Sequence, residues 1–285
     1  PDDSISVHSS IPGVPAFTVQ SYQTKQSKYC ILIPIINEGE RIHHELERAT
    51  NAKIPSFGDI IICDGGSTDG STEEHLLRQY GVNTLLVKQP GKQGAQLRMG
   101  LWWALQRGYD GFITIDGNDK DSIEDVPKFI SKLQEGFDFI QGSRFRRGGK
   151  AINTPFIRHV ALKFMHAPLI SLSAGQWFTD TTNAYRAYSR HYLEHPEDST
   201  GADAVNLLVA AVPEKELEPL YRMATGLGLD VMMEVHTLKE LESLEIPVTR
   251  AYPPKGKVPT KISFFKGNFN LFATLVKNLF RKYHP

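Results

Sequence analysis

Phe112-Ile113-Thr114-Ile115 is apolar and β-branched over consecutive positions, then gives way to Asp116, Gly117, Asn118, Asp119 and Asp121. Such a run reads as a strand buried on both faces, as in a parallel sheet. Carboxylates cannot continue inside a core, so the strand has to stop at a sheet edge. In open α/β sheets that edge, outside the carboxyl ends of the strands, is where ligands bind. If the chain stays extended, Asp116 and Asn118 point the same way. Hard oxygen donors so placed suit Mg2+ or Mn2+ carrying a diphosphate. The same residues also suit a polar turn in which Asp119 or Asp121 caps a helix.

Other segments repeat the pattern of strand, polar loop and helix. Tyr29–Ile36 reads as a strand leading into Asn37-Glu38-Gly39-Glu40 and an amphipathic helix through Leu46. Pro34 cannot donate to a ladder, so pairing is expected to loosen there. Asn37 and Glu38 then fall at the strand tip, to meet a nucleobase or to cap the helix. Asp59–Cys63 is a second strand, followed by Asp64-Gly65-Gly66-Ser67-Thr68-Asp69-Gly70-Ser71. That turn offers backbone N–H groups to an anion, and Asp64 could read a base imide or a ribose. It is neither a GxGxxG fingerprint nor a Walker A loop. Thr84–Lys88 is a third strand; Gly91, Lys92 and Gly94 precede a helix, Ala95–Gln106, and suit phosphate or base contact as well as a solvated turn. Helix Val126–Gln134 and strand Phe137–Gln141 complete a βαβα alternation, which predicts a parallel sheet. Gly142-Ser143-Arg144, with Arg146, Arg147 and Lys150 nearby, forms a basic loop able to neutralise a leaving diphosphate or an acceptor phosphate.

Lys+Arg and Asp+Glu both number 32, a balance that argues against wholesale nucleic-acid binding. Cys30 and Cys63 sit in strands and read as reduced core thiols. No apolar run approaches the roughly 18–20 residues of a membrane span, and the first residues show no signal-peptide pattern. The expectation is a cytoplasmic protein, with contact to a membrane surface left open.

Taken in order, several segments resemble glycosyltransferase family 2, and within it the polyprenyl-phosphate mannose or glucose synthases. They are Ile33–Glu38, Asp64–Ser71, Gly91–Ala95, Asp116–Asn118, Gly142–Arg144, Asp180–Arg186, and Glu245–Val248 with Gly256–Ser263. The resemblance implies a GT-A fold: an α/β, Rossmann-like, mostly parallel sheet flanked by helices. It implies metal-assisted, inverting transfer of a sugar from a UDP- or GDP-linked donor. Pro34, Asn37, Glu38, Asp64, Gly66, Ser67, Lys92, Gly94, Asp116 and Gly117 are the implied nucleotide-sugar contacts. Asp116 and Asn118 stand where the family's Asp-x-Asp holds metal and diphosphate. Asn118 is a weaker ligand than aspartate, so Asp119 or Asp121 is expected to compensate, or affinity to be low. The second loop reads Asp64-Gly65-Gly66-Ser67 where Asp-Asp-Gly-Ser is commoner. Arg144 would steady the leaving group beside the metal. An ionised phosphate acceptor needs no strong base; a hydroxyl acceptor would make Asp180 the base, its alternative being a cap or an ion pair with Arg186. Ser143, Arg144, Lys257 and Lys261 are the candidate acceptor contacts, and a lipid phosphate is the candidate acceptor.

Residues 201–242 break the pattern. A strand over 201–211, a helix Glu214–Gly226 and a strand Asp230–Val235 resemble a βαβ piece of indole-3-glycerol phosphate synthase, with Glu234 at that family's catalytic glutamate. One βαβ unit cannot assemble a site drawn from several strand ends, so that activity is not expected. The segment either fills the place of acceptor-side helices or is a graft; as a packed unit it would bury Leu207, Val209, Val231 and Met233. The organisation expected is an arm (1–28), a nucleotide-sugar domain (29–200), the atypical βαβ-like insert (201–242) and a C-terminal part (243–285). Ile262–Tyr283 sets aromatics among cations, for packing or for a membrane interface. Rival readings are a sugar nucleotidyltransferase, which would open on a glycine-rich basic loop rather than Asn37-Glu38, and a non-catalytic or engineered chimeric nucleotide-binding protein. Oligomeric state is not legible.

Overall fold

The computed structural model describes residues 4–9, 14–88, 93–174, 177–180, 183–194 and 243–254. Side chains alternate across a strand, and in β3 (Tyr29–Ile35) and β4 (Asp59–Asp64) both sets are largely apolar. Cys30, Leu32, Ile61 and Cys63 enter one core with Leu97, Met99 and Leu101 of α3 (Gln93–Gln106). Ile31, Ile33, Ile35, Ile60 and Ile62 enter the other. They meet Ile42 and Leu46 of α1 (Glu40–Asn51) and Val126, Phe129 and Ile130 of α4 (Val126–Gln134). Two buried faces covered by helices make a three-layer α/β arrangement, each fully buried aliphatic contributing roughly 1.5–3 kcal/mol.

The remaining strands of the main sheet are β1 (Ile5–Val7), β2 (Phe17–Ser21), β5 (Thr84–Lys88), β6 (Gly111–Thr114), β7 (Phe139–Ser143), β9 (Arg186–Ser189) and β10 (Ser243–Pro247). Their order is β1-β2-β5-β4-β3-β6-β9-β7-β10. β3, β4, β5, β6, β7 and β10 all run the same way; β2 and β9 run against them. The chain steps outward from β3 through β4 to β5, then returns to β6 on the other side of β3. The crevice for a ligand is therefore outside the carboxyl ends of β3 and β6. A small second sheet pairs β8 (Lys150–Ile152) with β11 (Thr249–Ala251).

Several elements differ from expectation. Within the stretch read as an arm, β1 pairs antiparallel with β2, and β2 with β5 over Phe17–Ser21, so these residues belong to the main sheet. β9 is antiparallel and splits the expected parallel neighbours β6 and β7. β7 lies two residues later than read, because Gly136 turns the chain at positive φ and Gly142 and Ser143 still pair with Ile246 and Pro247. Pairing does not loosen at Pro34 on the β4 side, where Pro34 and Ile35 oppose Cys63 and Asp64. Ile35 accepts from the Gly65 N–H, and Leu32 from Ile115 on the other side, so the missing Pro34 N–H faces β6 beyond the last pair, Leu32–Thr114. Its absence costs no ladder bond. The 201–242 segment, with the four residues whose burial would test it, lies outside the described residues, as does the Ile262–Tyr283 stretch. Among the described residues no helix is long and apolar enough to cross a membrane.

Candidate functional site

The loops after β3, β4, β6 and β7 meet at one sheet edge. At the first, Asn37 adopts φ 50 and its Oδ1 accepts from Thr68 N at 2.8 Å, while its own N–H donates to Ser67 Oγ at 2.9 Å. Glu38 pairs with Arg41 at 2.7 Å. Neither side chain caps α1, whose N-cap is Gly39. Below them Gln96, buried on α3, donates Nε2 to Ile35 O at 2.6 Å and Cys63 O at 2.8 Å, clipping two strand ends together. The second loop folds on itself: the Asp64 carboxylate accepts from Gly66 N at 3.0 Å, Ser67 N at 2.9 Å and the Ser67 hydroxyl. The N–H groups read as open to an anion are thus already turned toward Asp64. Pro34 is buried within β3, Gly94 falls in the first turn of α3, and Lys92 lies outside the described residues.

The Asp116 loop departs from the extended path on which the same-face argument rested. β6 ends at Thr114, Gly117–Asp119 form a bend, and Asp119 takes φ 59. Gly117 faces the core: a Cβ there would lie 2.4 Å from Ile35 Cγ2 and 3.0 Å from Ile33 Cγ2. A side chain there would collide with the core, so glycine allows the close packing that brings the loop over β3 and leaves only backbone groups for any contact with a ligand. Gly117→Ala should destabilise the fold by about 1–3 kcal/mol, read as a lower melting temperature.

Asp119 and Asp121 do not join Asp116 as metal ligands. Asp119 pairs with His44 at 2.5 Å and Arg48 at 2.7 Å. Asp121, fully buried, is bound by Arg250. Nor does either cap the following helical turn, Ile123–Asp125, which starts after Ser122. Arg48 also donates to Glu124 Oε2 at 2.7 Å and to Asp121 O at 2.9 Å, fixing the loop from α1. What remains at the strand end is the half-buried Asp116 carboxylate, 3.3 Å from Arg250 Nη2, and Asn118, whose buried Oδ1 has no hydrogen-bond partner among the described residues. Those residues contain no group of three or more His, Cys, Asp or Glu side chains able to hold a metal by themselves. A carboxylate plus an orphaned amide oxygen fits a hard cation that takes its other ligands from a diphosphate and water.

Glu45 lies beneath this loop, fully buried, with neither carboxylate oxygen partnered among the described residues. Burial, then the charge of Asp121, pushes its pKa well above the ordinary value. A folded pKa above the unfolded one favours folding fully only below the unfolded value, and the contribution is lost as pH rises. Glu45→Gln should therefore raise stability at pH 7 by roughly 1–3 kcal/mol, with the gap closing in melts run near pH 4.

In the loop after β7, Arg144 is buried and bidentate on Asp180, at 2.8 Å through Nε and 2.9 Å through Nη2; its backbone N–H adds a third bond at 3.0 Å. Asp180 thus pairs with Arg144 rather than Arg186, which donates instead to Gln141 at 2.8 Å. With both oxygens on Arg144, Asp180 is not a carboxylate turned toward a hydroxyl. Ser143 Oγ meets Thr179 Oγ1 at 2.6 Å and accepts from Phe145 and Arg146 N–H groups, a loop-building role. Glu245 of β10 accepts from Thr179 N at 2.6 Å and Asp180 N at 3.2 Å, holding that strap in place. Lys257 and Lys261 lie outside the described residues.

Sequence reasoning missed the buried Tyr252, which gathers several cations around it. Its hydroxyl accepts from Arg158 Nη1 at 3.0 Å, and Lys120 Nζ sits 5.0 Å from its ring centre. Arg250 stands 5.6 Å from the same ring. Burial alone would push the phenol up; Arg250 and then Arg144 outweigh it and bring it down to about 8. Arg158, Tyr252 and Arg250 carry no local motif, and only the pairing of β8 with β11 brings them together.

The large, mostly parallel sheet flanked by helices defines an α/β fold of GT-A type. The glycosyl transferase family 2 pattern matches residues 30–195, more than half of the 285-residue chain. The chain belongs to glycosyl transferase family 2. Indole-3-glycerol phosphate synthase matches residues 196–246, a minority of the chain. Glycosyltransferase AglJ of Haloferax volcanii is 30% identical over 173 residues, 56% of this chain and 50% of that protein. Polyprenol monophosphomannose synthase of Mycolicibacterium smegmatis is 29% identical over 175 residues, 58% of this chain and 62% of that protein. The chain thus spans half to under two thirds of the length of these curated relatives. In fold it is similar to Mycobacterium tuberculosis glucosyl-3-phosphoglycerate synthase, solved with phosphoglyceric acid. That likeness has a TM-score of 0.51 at 17% identity and covers 90% of this chain and 80% of that one.

Proposed function

We propose that this chain moves a sugar from a UDP- or GDP-linked donor to a phosphate-bearing acceptor by inverting displacement. The observation that carries the reading is the buried Asn118 Oδ1, unpartnered among the described residues, at the same strand end as the Asp116 carboxylate, at the switch point between β3 and β6. Asp116 and Asn118 would hold Mg2+ or Mn2+, which when bound neutralises charge on the departing diphosphate. The loops after β3 and β4 take the base and ribose, with Glu38 at the rim and the buried Asp64 shaping the second loop through Gly66 and Ser67. Arg158 supports the acceptor side: among the described residues it pairs with a phenol and with no carboxylate, so its fork keeps N–H donors for a phosphate. A phosphate nucleophile is already ionised, so the commitment of Asp180 to Arg144 removes nothing the reaction needs.

We read the acceptor as a polyprenyl phosphate met at a membrane surface. One relative is a polyprenol monophosphomannose synthase by name. The helical segment that carries Arg158 also exposes Phe156 (79%), Ile157 (67%) and Phe164 (71%) beside the exposed Lys163, an amphipathic edge suited to an anionic interface. The test is release of nucleoside diphosphate from UDP- and GDP-sugars, with and without a short polyprenyl phosphate and Mn2+. Release from one donor that requires both additions is the expected result. Release indifferent to the lipid phosphate, or none from any donor, overturns the reading.

A further inference from the structure

We infer that Arg250 is a diphosphate-binding residue, held in place by Asp121 and able to pass one guanidinium nitrogen from Asp116 to the donor. The inference rests on the nucleotide-sugar reading of this site and assigns the leaving-group contact to a different residue from Arg144. Arg144 is unsuited because its fork is spent, bidentate on Asp180 inside the protein. Arg250 is held asymmetrically. Its Nη1 binds Asp121, a fully buried carboxylate that needs a permanent cation. Its Nη2 reaches Asp116 Oδ2 at 3.3 Å. That is long for a charge-assisted bond, which is ordinarily about 2.7–2.9 Å. The guanidinium also hydrogen-bonds the Tyr252 hydroxyl, so Asp121 and Tyr252 anchor it and the long Nη2 contact is the weak one, on the carboxylate where a divalent cation would sit.

The backbone behind Arg250 is fixed to the donor loop. Ala251 N donates to Lys120 O at 2.8 Å, Ser122 N to Thr249 O at 3.0 Å, and Thr249 N to Ser122 Oγ at 3.1 Å. The guanidinium is thus presented from a rigid strand rather than a loop that must be ordered on binding. A divalent cation held by Asp116 would repel Nη2, and a bound diphosphate would then be the anion open to that nitrogen. A planar fork anchored at one nitrogen still offers a donor matched to phosphate geometry, which a lysine ammonium cannot do while also holding Asp121.

The test compares nucleoside diphosphate with nucleoside monophosphate. Affinities for UDP, UMP, GDP and GMP are measured by calorimetry with Mn2+ on the full chain, on Arg250→Lys and on Arg250→Gln. The Asp121→Asn/Arg250→Gln double variant joins them, because it leaves no buried carboxylate unpaired. For the base that the parent protein binds, Arg250→Gln and the double variant should lose about 10- to 100-fold in diphosphate affinity and leave monophosphate affinity unchanged. Arg250→Lys should fall between. Equal loss for both nucleotides would mean a merely structural role, and an unchanged diphosphate preference would mean no contact; either overturns the inference. A parent protein that binds none of the four overturns the nucleotide reading itself, and the inference with it.

Discussion

Replacing Asp116 by alanine should lower kcat/KM for sugar transfer by about 100- to 1,000-fold, the scale of losing one electrostatic contact to a developing charge, roughly 2.7–4 kcal/mol. The fold should survive. The Asp116 side chain keeps 17% of its surface exposed, its ion pair with Arg250 is long, and Arg250 keeps Asp121. The melting temperature should therefore move little while cation-dependent nucleotide binding is lost. Asp116→Asn separates charge from shape: it keeps an oxygen donor beside Asn118 and should retain a weak response to Mn2+. An Asp116→Ala protein that turns over normally would remove this strand end from the reaction.

The largest effect on stability is expected from Arg144→Met. Arg144 and Asp180 have side chains only 2% and 0% exposed, so removing the arginine strands a carboxylate in the interior. Breaking one partner of such a pair costs about 3–5 kcal/mol, on the order of 10 °C in melting temperature for a domain of this size. Burial disfavours the arginine's charge, and Asp180 more than restores it, leaving the Arg144 pKa above its ordinary value. The Arg144→Met/Asp180→Leu double variant should recover most of the loss, because replacing both charges by apolar groups removes the desolvation cost with the attraction. Equal melting of the single and double variants would show that the pair's charges do not set the stability there.

The α/β layers were legible because the largely apolar runs of β3 and β4 call for two buried faces, and they alternate with helical segments able to cover both. Thr84–Lys88 and Val126–Gln134 fall where periodicity puts them. β9 was not legible: Arg186-Ala187-Tyr188-Ser189 is short, and its antiparallel place between β6 and β7 depends on partners more than 40 residues away. The site divides in the same way. Strand tips announce themselves by a change from apolar to polar, so Asn37, Asp64, Asp116 and Arg144 could be picked out in order. Their partners could not. Arg48 reaches Asp119 from 71 residues away and Arg250 reaches Asp116 from 134. Asp119 and Asp121 looked like spare metal ligands because a sequence shows carboxylates without showing the cations folded onto them. The same limit applies to Asp180, whose bidentate partner was visible in the sequence only as part of a basic loop.

Calorimetric titration of the full chain with UDP and GDP, each with and without Mn2+, most directly tests the central claim that the β3–β6 crevice is a cation-assisted diphosphate site. The account predicts that one nucleoside diphosphate binds at least tenfold more tightly with the cation than without, about 1.4 kcal/mol or more. Binding of neither nucleotide under either condition, or binding that ignores the cation, would contradict it.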